Sequence, residues 1–390
     1  MPVNFARRTN WDLAMSETAR ALEEAGNSGQ AVCNLTVSNP TICGFQYNEQ
    51  AIVAALSVPA VFYYEPDPRG MLHAREAVCD YYATHSASLP PEHLFLTTST
   101  SEAYSSLFRL LCNPDDEVLI AQPSYPLFDF LAQICDVRLV PYQLFYDHGW
   151  HIDLAGLRQQ ITPRTRAIAL VHPNNPTGHF TSAVERAQLE EICAERGLAL
   201  IVDEVFLDFP LDGQKPQSFA AGDHPALTFV LSGLSKICGL PQMKASWIAA
   251  FGPDREVKSA LDRLEVIADT YLSMNAPIQH ALPSWLAGRN LIQEQIRSRC
   301  RANLATLDQL LAKRTLISRL KVEAGWYAIL RVPALMDDEE LAALLIREHD
   351  VAVHPGHFFA FPDTGWLVVS LLSPQRCFSR GIESISRFFR

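Results

Sequence analysis

Short apolar runs alternate with amphipathic stretches through the middle of this chain, from about residue 94 to residue 251. The runs are apolar at nearly every position, whereas the stretches between them repeat apolar residues at the spacing of a helix. Apolar strands separated by helices are typical of a parallel sheet covered on both faces. The predicted strands are Leu94–Thr98, Glu117–Ala121, Val137–Tyr142, Ala167–Val171, Leu198–Asp203, Thr228–Ser232 and Ala245–Phe251.

The amphipathic stretches between these strands predict helices, and one of them carries signals at both ends. Ser182 and Glu185 have the spacing of a capping box, and Gly197 follows the last helical residue as a stop. In a sheet of this kind, ligands bind beyond the carboxyl ends of the strands. We therefore expect the functional residues there. The predicted helices include Ser101–Cys112, Tyr125–Cys135 and Ser182–Arg196.

The pattern changes beyond about residue 275, where long helical stretches flank a few strands. This arrangement predicts a smaller α+β domain. Its predicted elements are the helices Ile278–Arg314 and Asp337–His349 and the strands Trp326–Val332, Ala352–His354 and Trp366–Ser370.

The fold class predicted for the whole chain is α/β. It comprises a mostly parallel, seven-stranded type of sheet with helices on both faces and a smaller α+β domain. The expected division is a large domain, 48–275, a small domain, 276–390, and an N-terminal segment, 1–47, that packs on the small domain.

Charge and cysteine usage restrict the classes of partner and compartment. The net charge of −11 over 390 residues argues against nucleic acid or an anionic membrane as the main partner. Nine cysteines without a Cys-x-x-Cys pair are typical of reduced thiols. The first ten residues lack the apolar stretch of a signal peptide, and no run approaches the roughly 18 apolar residues of a membrane span. We expect a soluble cytoplasmic protein.

Lys236 lies in an unusual setting for a lysine. It follows the apolar run that ends at Ser232 and precedes a Gly-Leu-Pro turn, within Ser232-Gly-Leu-Ser-Lys-Ile-Cys-Gly-Leu-Pro. Burial among small and apolar residues lowers the pKa of a lysine and frees its amine to form a Schiff base. This chemistry is typical of pyridoxal phosphate enzymes, in which the coenzyme serves as the electron sink. The alternative is an ordinary loop lysine in water.

Polar residues cluster after several of the predicted strands. Thr97–Tyr104 opens a helix and could bind a phosphate through free backbone N–H groups and hydroxyls, or could serve only as a cap. Tyr125 in Pro123–Pro126 could stack on an aromatic ring or simply pack. Asn175 lies in His172–Gly178, which could bind a ring oxygen or form an ordinary turn. 

Asp203 ends an apolar strand, where a carboxylate is costly unless it meets a cation. A protonated pyridine nitrogen would be such a cation, and the alternative is a solvated strand-end aspartate.

These motifs together, in this order and spacing, resemble the fold-type-I, pyridoxal phosphate-dependent class I/II aminotransferases over most of the chain. The resemblance is carried by Tyr64-x-Pro-Asp-Pro-Arg-Gly70, Thr98–Ala103, Pro123–Pro126, Asn175-Pro-Thr-Gly178, Asp203-Glu204 and Ser235-Lys236.

The resemblance implies roles for individual residues. Lys236 would form the Schiff base and move a proton, Asp203 would pair with the pyridine nitrogen, and Asn175 would bind the ring oxygen. Tyr125 would stack on the ring, and Tyr64 would reach the phosphate of a neighbouring subunit, which implies a homodimer with shared sites. The other residues expected to bind the coenzyme are Thr98, Ser99, Thr100, Ser101, Ser235 and Lys244.

Several positions depart from the family pattern. Lys244 replaces the usual phosphate-binding Arg and lacks its two-pronged geometry. Gly233 replaces a Ser, and Phe206 replaces the Tyr that usually bonds the ring oxygen. Loss of that donor predicts a raised pKa for the Schiff base. Val368 occupies the position of the Arg that grips the substrate carboxylate.

Two residues are predicted to contact the substrate. Arg331, in an otherwise apolar strand, is the substitute expected for the missing carboxylate-binding Arg, unless it reaches solvent from the strand end. Asn39 matches a substrate-side loop of relatives. His354 and His357 lack a third ligand at metal spacing, and no metal is expected.

The predicted function is transfer of an amino group from an amino acid to a 2-oxo acid. Another pyridoxal phosphate reaction on the same scaffold, such as elimination or decarboxylation, is the alternative, because no motif fixes which bond to Cα breaks. A non-catalytic domain that binds the coenzyme is less favoured, since Lys236, Asp203 and Asn175 are all present.

Overall fold

The computed structural model describes residues 3–213, 217–312 and 316–389. Within them the α-helices are α1 Glu17–Ser28, α2 Glu49–Leu56, α3 Leu72–Ala83, α4 Thr100–Leu111, α5 Leu127–Ile134, α6 Leu154–Gln160, α7 Ala183–Arg196, α8 Leu234–Ile237, α9 Asp254–Tyr271, α10 Ala276–Ala287, α11 Asn290–Leu311, α12 Asp338–His349 and α13 Gln375–Phe388. No helix in these residues has the length and apolar character needed to cross a membrane.

The strands fall into one large sheet and two small ones. In chain order they are β1 Cys33–Asn34, β2 Leu94–Thr97, β3 Glu117–Gln122, β4 Arg138–Tyr146, β5 Trp150–Ile152, β6 Thr165–Val171, β7 Ala199–Asp203, β8 Thr228–Gly233, β9 Ser246–Phe251, β10 Ser318–Arg319, β11 Tyr327–Arg331, β12 Val351–Ala352, β13 His354–Pro355 and β14 Trp366–Ser370.

The large sheet has the order β2-β9-β8-β7-β6-β3-β4-β5. Its central pairs, from β8 through β4, are parallel, and β9 and β5 are antiparallel to their neighbours. The predicted mostly parallel sheet is therefore confirmed. The predicted number of strands was one too few, because the three-residue strand β5 returns against the end of β4 and is too short for a pattern to reveal.

Both faces of this sheet are buried, as the uninterrupted apolar runs predict. Along β7, Leu200 and Val202 pack into one core, whereas Ala199 and Ile201 pack into a second core on the opposite face. Each fully buried leucine, valine or isoleucine side chain contributes roughly 1.5–3 kcal/mol to the free energy of unfolding. The burial holds the strand rigidly and places the residue that ends it, Asp203, at a defined point.

The small domain contains an antiparallel sheet with the order β10-β11-β14-β13. The single predicted helix over Ile278–Arg314 is wrong, because the chain breaks near Gly288 and forms two helices, α10 and α11. Arg314 lies outside the described residues. The predicted strand Ala352–His354 is also two elements, since β12 pairs with β1 and β13 pairs with β14.

The N-terminal segment contacts both domains. Its helix α1 packs against α12, and its strand β1 pairs with β12, both in the small domain. Trp11, however, reaches the large domain, where its indole Nε1 donates to Gln133 over 2.6 Å and its ring meets Phe130 edge-on at 5.6 Å. The segment therefore makes the predicted contacts with elements of the small domain and further contacts with α5 of the large domain.

Candidate active site

Lys236 lies on the short helix α8, directly after β8. Its Nζ is 5.6 Å from the centre of the Phe206 ring and 4.9 Å from that of Trp326. Burial lowers the pKa of Lys236 to about 8, although the nearby carboxylate of Asp203 opposes this shift. Of the four lysines within the described residues, Lys236 alone is not exposed. Its environment is the one predicted for an amine that reacts as a nucleophile.

The turn after Lys236 is held by the N-terminal segment. The hydroxyl of Tyr47 donates to the backbone oxygen of Gly239 over 2.8 Å. Gly239 has a φ of +61°, and a Cβ there would lie 2.9 Å from the Tyr47 hydroxyl and 3.6 Å from Pro40. A glycine is therefore required for the close approach, which brings the loop of Asn39 next to the lysine turn.

Asp203, at the carboxyl end of β7, is almost completely buried. Burial raises its pKa to about 7, against the backbone N–H of Val205, the charge of Lys236 and the hydroxyl of Tyr104, which lower it. The Val205 N–H donates to the Asp203 carboxylate over 3.1 Å. A buried carboxylate with so few donors is suited to a cationic ligand group.

Asn175 follows β6, in a loop that the side chain of Asn174 stabilises. The hydroxyl of Thr177 donates to Asn174 Oδ1 over 2.8 Å. Asn175 is buried, and its Oδ1 atom has no hydrogen-bond partner within the described residues. Such an atom is costly unless a ligand meets it. Amide oxygen and nitrogen are interchangeable in assignment, and either end of Asn175 can therefore face a ring oxygen.

The N-terminus of α4, where a phosphate site is predicted, has both occupied and free hydrogen-bonding groups. Ser99 caps the helix by accepting from the backbone N–H of Glu102 over 3.1 Å. The Glu102 carboxylate in turn accepts from the Thr98 backbone N–H, over 2.7 Å, and from its hydroxyl. Thr98 is thus engaged by Glu102, whereas no hydrogen bond in the described part of the chain occupies the backbone N–H groups of Thr100 and Ser101. These two remain for an anion.

Tyr125 lies at the turn before α5 and is 40% exposed. Its ring meets Phe128 edge-on at 6.2 Å. Burial raises the pKa of the Tyr125 hydroxyl, and the negative charge of Asp203 adds to the rise. The neighbouring Ser124 donates its N–H to the backbone oxygen of Phe359 over 3.0 Å. Tyr125 therefore has an open ring within electrostatic reach of Asp203, as a stacking residue requires.

Three further residues are predicted to bind the coenzyme, and their roles stay predictions. Ser235 precedes Lys236 on α8 and is partly buried. Lys244 is exposed, in a left-handed conformation with a φ of +51°, just before β9. Tyr64 is 77% exposed and lies beside two other exposed aromatic residues, Phe62 and Tyr63.

The structure does not place Arg331 beside Lys236. The Arg331 guanidinium lies 4.3 Å from the centre of the Trp366 ring and donates to the Thr364 backbone oxygen over 2.6 Å. Arg331 is five residues beyond Trp326, about 16 Å of extended chain. The assignment of Arg331 to the substrate is therefore not supported, because the aromatic ring and the backbone oxygen already satisfy its charge at the far end of β11.

The position expected to hold the missing Arg is buried and apolar. Val368, in β14, pairs with Ile329 and His354 on its two sides and is fully buried. Asn39, the other predicted substrate residue, accepts from the Thr41 backbone N–H and hydroxyl through Oδ1, over 3.0 and 2.7 Å. Its Nδ2 atom is thereby oriented away from Thr41 and is the end left for a ligand.

The sequence did not reveal several residues that surround the lysine. Trp326 is the most direct, and Tyr104 beside Asp203 is another. Tyr327 and Phe359 form an aromatic pair at 5.8 Å, on the side of the site bordered by Ser124. The only sequence feature that pointed to Trp326 was the run Gly325-Trp326-Tyr327 at the start of β11. A sequence does not show which strand end faces Lys236.

Comparison with known proteins points to the family that the sequence resembles. Residues 60–377 match the family model "Aminotransferase class I and II". The glutamate-pyruvate aminotransferase AlaA of Escherichia coli K12 is 31% identical over 280 residues, which cover 71% of this chain and 68% of the relative. The chain belongs to the class I and II aminotransferase family.

Other relatives extend the match over nearly the whole chain. The alanine aminotransferase of Mycobacterium tuberculosis H37Rv is 28% identical over 372 residues, which cover 92% of this chain and 86% of the relative. The solved structure of an alanine aminotransferase from Pyrococcus furiosus has a TM-score of 0.90 at 22% identity, over 99% of both chains. The fold is that of the fold-type-I aminotransferases.

This aminotransferase is a pyridoxal phosphate-dependent enzyme that transfers amino groups. The residues present fit the coenzyme. The unpartnered Asn175 Oδ1 matches a ring hydroxyl, the buried Asp203 matches a protonated pyridine nitrogen, and the free N–H groups at the start of α4 match a phosphate. Lys236 has the lowered pKa that reaction with an aldehyde requires.

Proposed function

We propose that this aminotransferase passes an amino group from a small neutral or acidic amino acid to a 2-oxo acid, with Lys236 as the reactive base. The observation that carries the proposal is the partly buried Lys236 amine, with a pKa of about 8, between two aromatic rings and within electrostatic reach of the buried carboxylate of Asp203. The names of the curated relatives, a glutamate-pyruvate aminotransferase and an alanine aminotransferase, support alanine and glutamate as the first donors to test.

Pyridoxal phosphate, when bound, supplies an electron sink for the pair left at Cα as the Cα proton departs. The residues of this chain hold and orient the reacting groups around that sink. Asp203, buried and near Lys236, would hold a proton on the pyridine nitrogen by charge. Asn175 would bind the ring oxygen, and Tyr125 would stack on the ring.

Lys236 carries the proton that moves during the reaction. Its amine has a pKa near the working pH, which is the condition for efficient general acid–base catalysis. The rings of Phe206 and Trp326 exclude water around Nζ, and water exclusion favours transfer of the proton to carbon over its loss to solvent. A positioned base of this kind contributes about 10²–10⁴-fold.

Recognition of the substrate carboxylate differs here from an arginine clamp. Val368 is buried and apolar, and Arg331 is engaged by Trp366 and Thr364. We propose that Asn39 donates from Nδ2 to the carboxylate, since its Oδ1 is held by Thr41. A neutral amide bonds a carboxylate less strongly than a guanidinium does, and a high donor KM is the expected consequence.

A homodimer with shared sites is part of the proposal. Phe62, Tyr63 and Tyr64 are 88%, 69% and 77% exposed and form an aromatic patch. Contiguous exposed apolar residues are a common sign of an interface. A cavity of about 440 Å³ lies beside Thr98, Glu102 and the exposed Tyr271 and Leu272, at the phosphate end of the site. Tyr64 of a second copy would close this end.

A cytoplasmic location completes the proposal. All nine cysteines are free thiols, and five of them are buried. Reduced thiols in this number are typical of a reducing compartment.

The test is a panel of amino acids assayed with pyruvate and with 2-oxoglutarate, using purified protein supplied with the coenzyme. Formation of a new amino acid together with the 2-oxo acid of the donor is the expected result. Ammonia or carbon dioxide without a new amino acid would assign the protein to the elimination or decarboxylation alternative. Release of none of these products with any donor would contradict the proposal.

A further inference from the structure

A buried histidine outside the coenzyme site lies between two glutamates. His179 Nε2 is 3.1 Å from Glu185 Oε2, and His179 Nδ1 is 3.5 Å from Glu323 Oε2. The His179 side chain is 7% exposed. No group of three metal-ligating side chains suited to a metal ion occurs in residues 3–213, 217–312 and 316–389. The cluster is therefore an ion-pair network, and none of the roles assigned above uses it.

The geometry selects the doubly protonated form of His179. Each ring nitrogen faces a carboxylate, and only the imidazolium presents an N–H on both sides. Burial alone would lower the pKa of His179, but hydrogen bonds to Glu185 and Glu323 outweigh it and raise the pKa. Burial would likewise raise the pKa of both glutamates, but His179 and other donors lower each to about 2. The three groups hold one another in the charged state.

Other titratable groups face the cluster from the elements around it. Lys321 Nζ is 2.8 Å from Glu323 Oε1 and balances the second negative charge. The ring of His151, on β5, is centred 6.4 Å from that of His179. His172, at the end of β6, is neutral, because burial lowers its pKa to about 3. Among the residues that the structure describes, His179 is thus the one cation that contacts both glutamates.

The cluster joins two backbone segments that are far apart in sequence. The Phe180 N–H donates to Glu323 Oε2 over 3.0 Å, and the Ala324 N–H donates to the Gly178 backbone oxygen over 3.1 Å. Gly178 has a φ of +70°, and a Cβ there would lie 2.3 Å from the Ala324 oxygen. The loop after β6 and the segment before β11 are therefore in direct contact.

Each of these segments carries a residue of the active site. Asn175 lies three residues before Gly178 on the first segment, and its buried Oδ1 has no hydrogen-bond partner in the described residues, which leaves it for a ligand. Trp326 lies two residues after Ala324 on the second, with its ring 4.9 Å from Lys236 Nζ. The cluster therefore connects the loop that carries Asn175 to the segment that carries Trp326.

We propose that His179 is a positioning residue for amino transfer. Held as an imidazolium by Glu185 and Glu323, it fixes the loop of Asn175 against the segment of Trp326, and with them the orientation of the coenzyme ring relative to Lys236. The inference rests on the proposed function. When His179 loses its proton, the two buried carboxylates lose their shared donor and the two segments separate slightly. Turnover then falls, although His179 touches neither coenzyme nor substrate.

The test compares His179→Gln with His148→Gln, a fully exposed histidine at the edge of the same surface depression. His179→Gln is expected to lower kcat about 10- to 100-fold, with a much smaller change in donor KM. A loss of this size is typical when the reacting groups are misplaced by up to about 1 Å. The alkaline fall of kcat that His179 causes in the wild type should also disappear. His148→Gln should leave kcat and its pH profile unchanged.

Two further measurements keep the inference testable if His179→Gln folds poorly. Glu323→Gln can keep the oxygen that accepts from Phe180, whereas it removes the charge and the oxygen that accepts from Lys321. It should lower kcat in the same direction. Histidine ¹⁵N NMR of the apoprotein should show His179 with two ring N–H groups well above pH 6.5, and Glu323→Gln should lower that pKa.

The outcomes separate this inference from the proposed function. If the wild type transfers no amino group, the proposed function fails, while NMR still decides whether His179 is an imidazolium. A folded His179→Gln with wild-type kcat and pH profile would overturn the inference. A neutral His179 at pH 6.5 in the apoprotein would overturn it as well.

Discussion

The Nζ atom of Lys236 lies 4.9 Å from the centre of the Trp326 ring, although 90 positions separate the two residues in the sequence. Lys236 belongs to the large domain, and Trp326 belongs to the segment that enters the small-domain sheet. Trp326 is fully buried and meets Phe206 and Phe209 edge-on, at 5.3 and 5.1 Å. The reactive amine is therefore enclosed from both domains.

Replacement of Trp326 tests this enclosure. Trp326→Ala would leave a cavity and cost about 3–5 kcal/mol of the free energy of unfolding. It would also admit water beside Lys236, and the pKa of the apoprotein lysine should rise from about 8 toward 10.5 as desolvation is relieved. Trp326→Phe is the matched control with a smaller loss of volume. Unfolding curves and the pH dependence of coenzyme incorporation measure both effects. An unchanged lysine pKa in a folded Trp326→Ala would contradict this account.

The charge of Asp203 should govern the stability of the coenzyme-free protein. Burial raises its folded-state pKa from 3.8 to about 7, so the stabilising contribution is complete below pH 3.8 and is lost as the pH rises through 7. Asp203→Asn carries no such charge. The coenzyme-free variant should therefore gain stability relative to the wild type as the pH rises from 5 to 8, by about 3 kcal/mol, because the wild type loses stability only up to about pH 7.

Urea unfolding of both coenzyme-free proteins at the two pH values measures this difference. With coenzyme bound the order should reverse at pH 8, because the pyridine nitrogen then supplies the cation that Asp203 lacks. A stability difference independent of pH would show that Asp203 is ionised in the folded protein at both pH values.

Phe206, at a position where the family usually has a tyrosine, is expected to change the pKa of the coenzyme linked to Lys236. Its ring contributes no donor toward the coenzyme oxygen, and we expect a raised pKa for the coenzyme linked to Lys236. Phe206→Tyr should lower that pKa, since a phenol stabilises the ring oxygen in its ionised form. A pH titration of the visible absorption band measures it, with Phe5→Tyr at an 85% exposed position as the control. A raised or unchanged value would mean that a tyrosine hydroxyl at 206 does not reach the coenzyme.

Removal of the reactive amine should abolish turnover and not merely weaken it. Lys236→Ala should lower kcat by more than the roughly 10²–10⁴-fold of a lost general base, because the covalent attachment is lost as well. Lys258→Ala removes an exposed lysine that pairs with Asp262 on the same helix, and it should have wild-type kcat. Steady-state assay of both variants at saturating coenzyme measures the difference. Comparable activity of Lys236→Ala would show that another group is the base.

Much of the large domain could be predicted from the sequence, because local signals there agree with the final packing. Ser182 and Glu185 form the predicted capping box, and Gly197 ends that helix in the left-handed conformation. The all-apolar runs become strands buried on both faces. Polar residues at strand ends, such as Asp203 and Asn175, converge because the carboxyl ends of parallel strands meet at one edge.

The parts that could not be predicted depend on contacts between distant segments. The pairing of Arg331 with Trp366 arises from the antiparallel register of β11 and β14, which no local pattern shows. The Glu102 carboxylate accepts a hydrogen bond from Thr98 and so competes with a phosphate for it. The spacing of the two residues in the sequence does not reveal this competition. The break near Gly288 was missed because helical periodicity continues on both sides of it.

The measurement that tests the central claim most directly is a single half-reaction. The protein, loaded with pyridoxal phosphate and free of acceptor, is mixed with the best donor of the panel while its visible absorption is recorded. The account predicts that the band of the Lys236-bound coenzyme disappears as the amino form of the coenzyme appears, with an equimolar amount of the donor's 2-oxo acid. A band that persists while ammonia or carbon dioxide is released would contradict it.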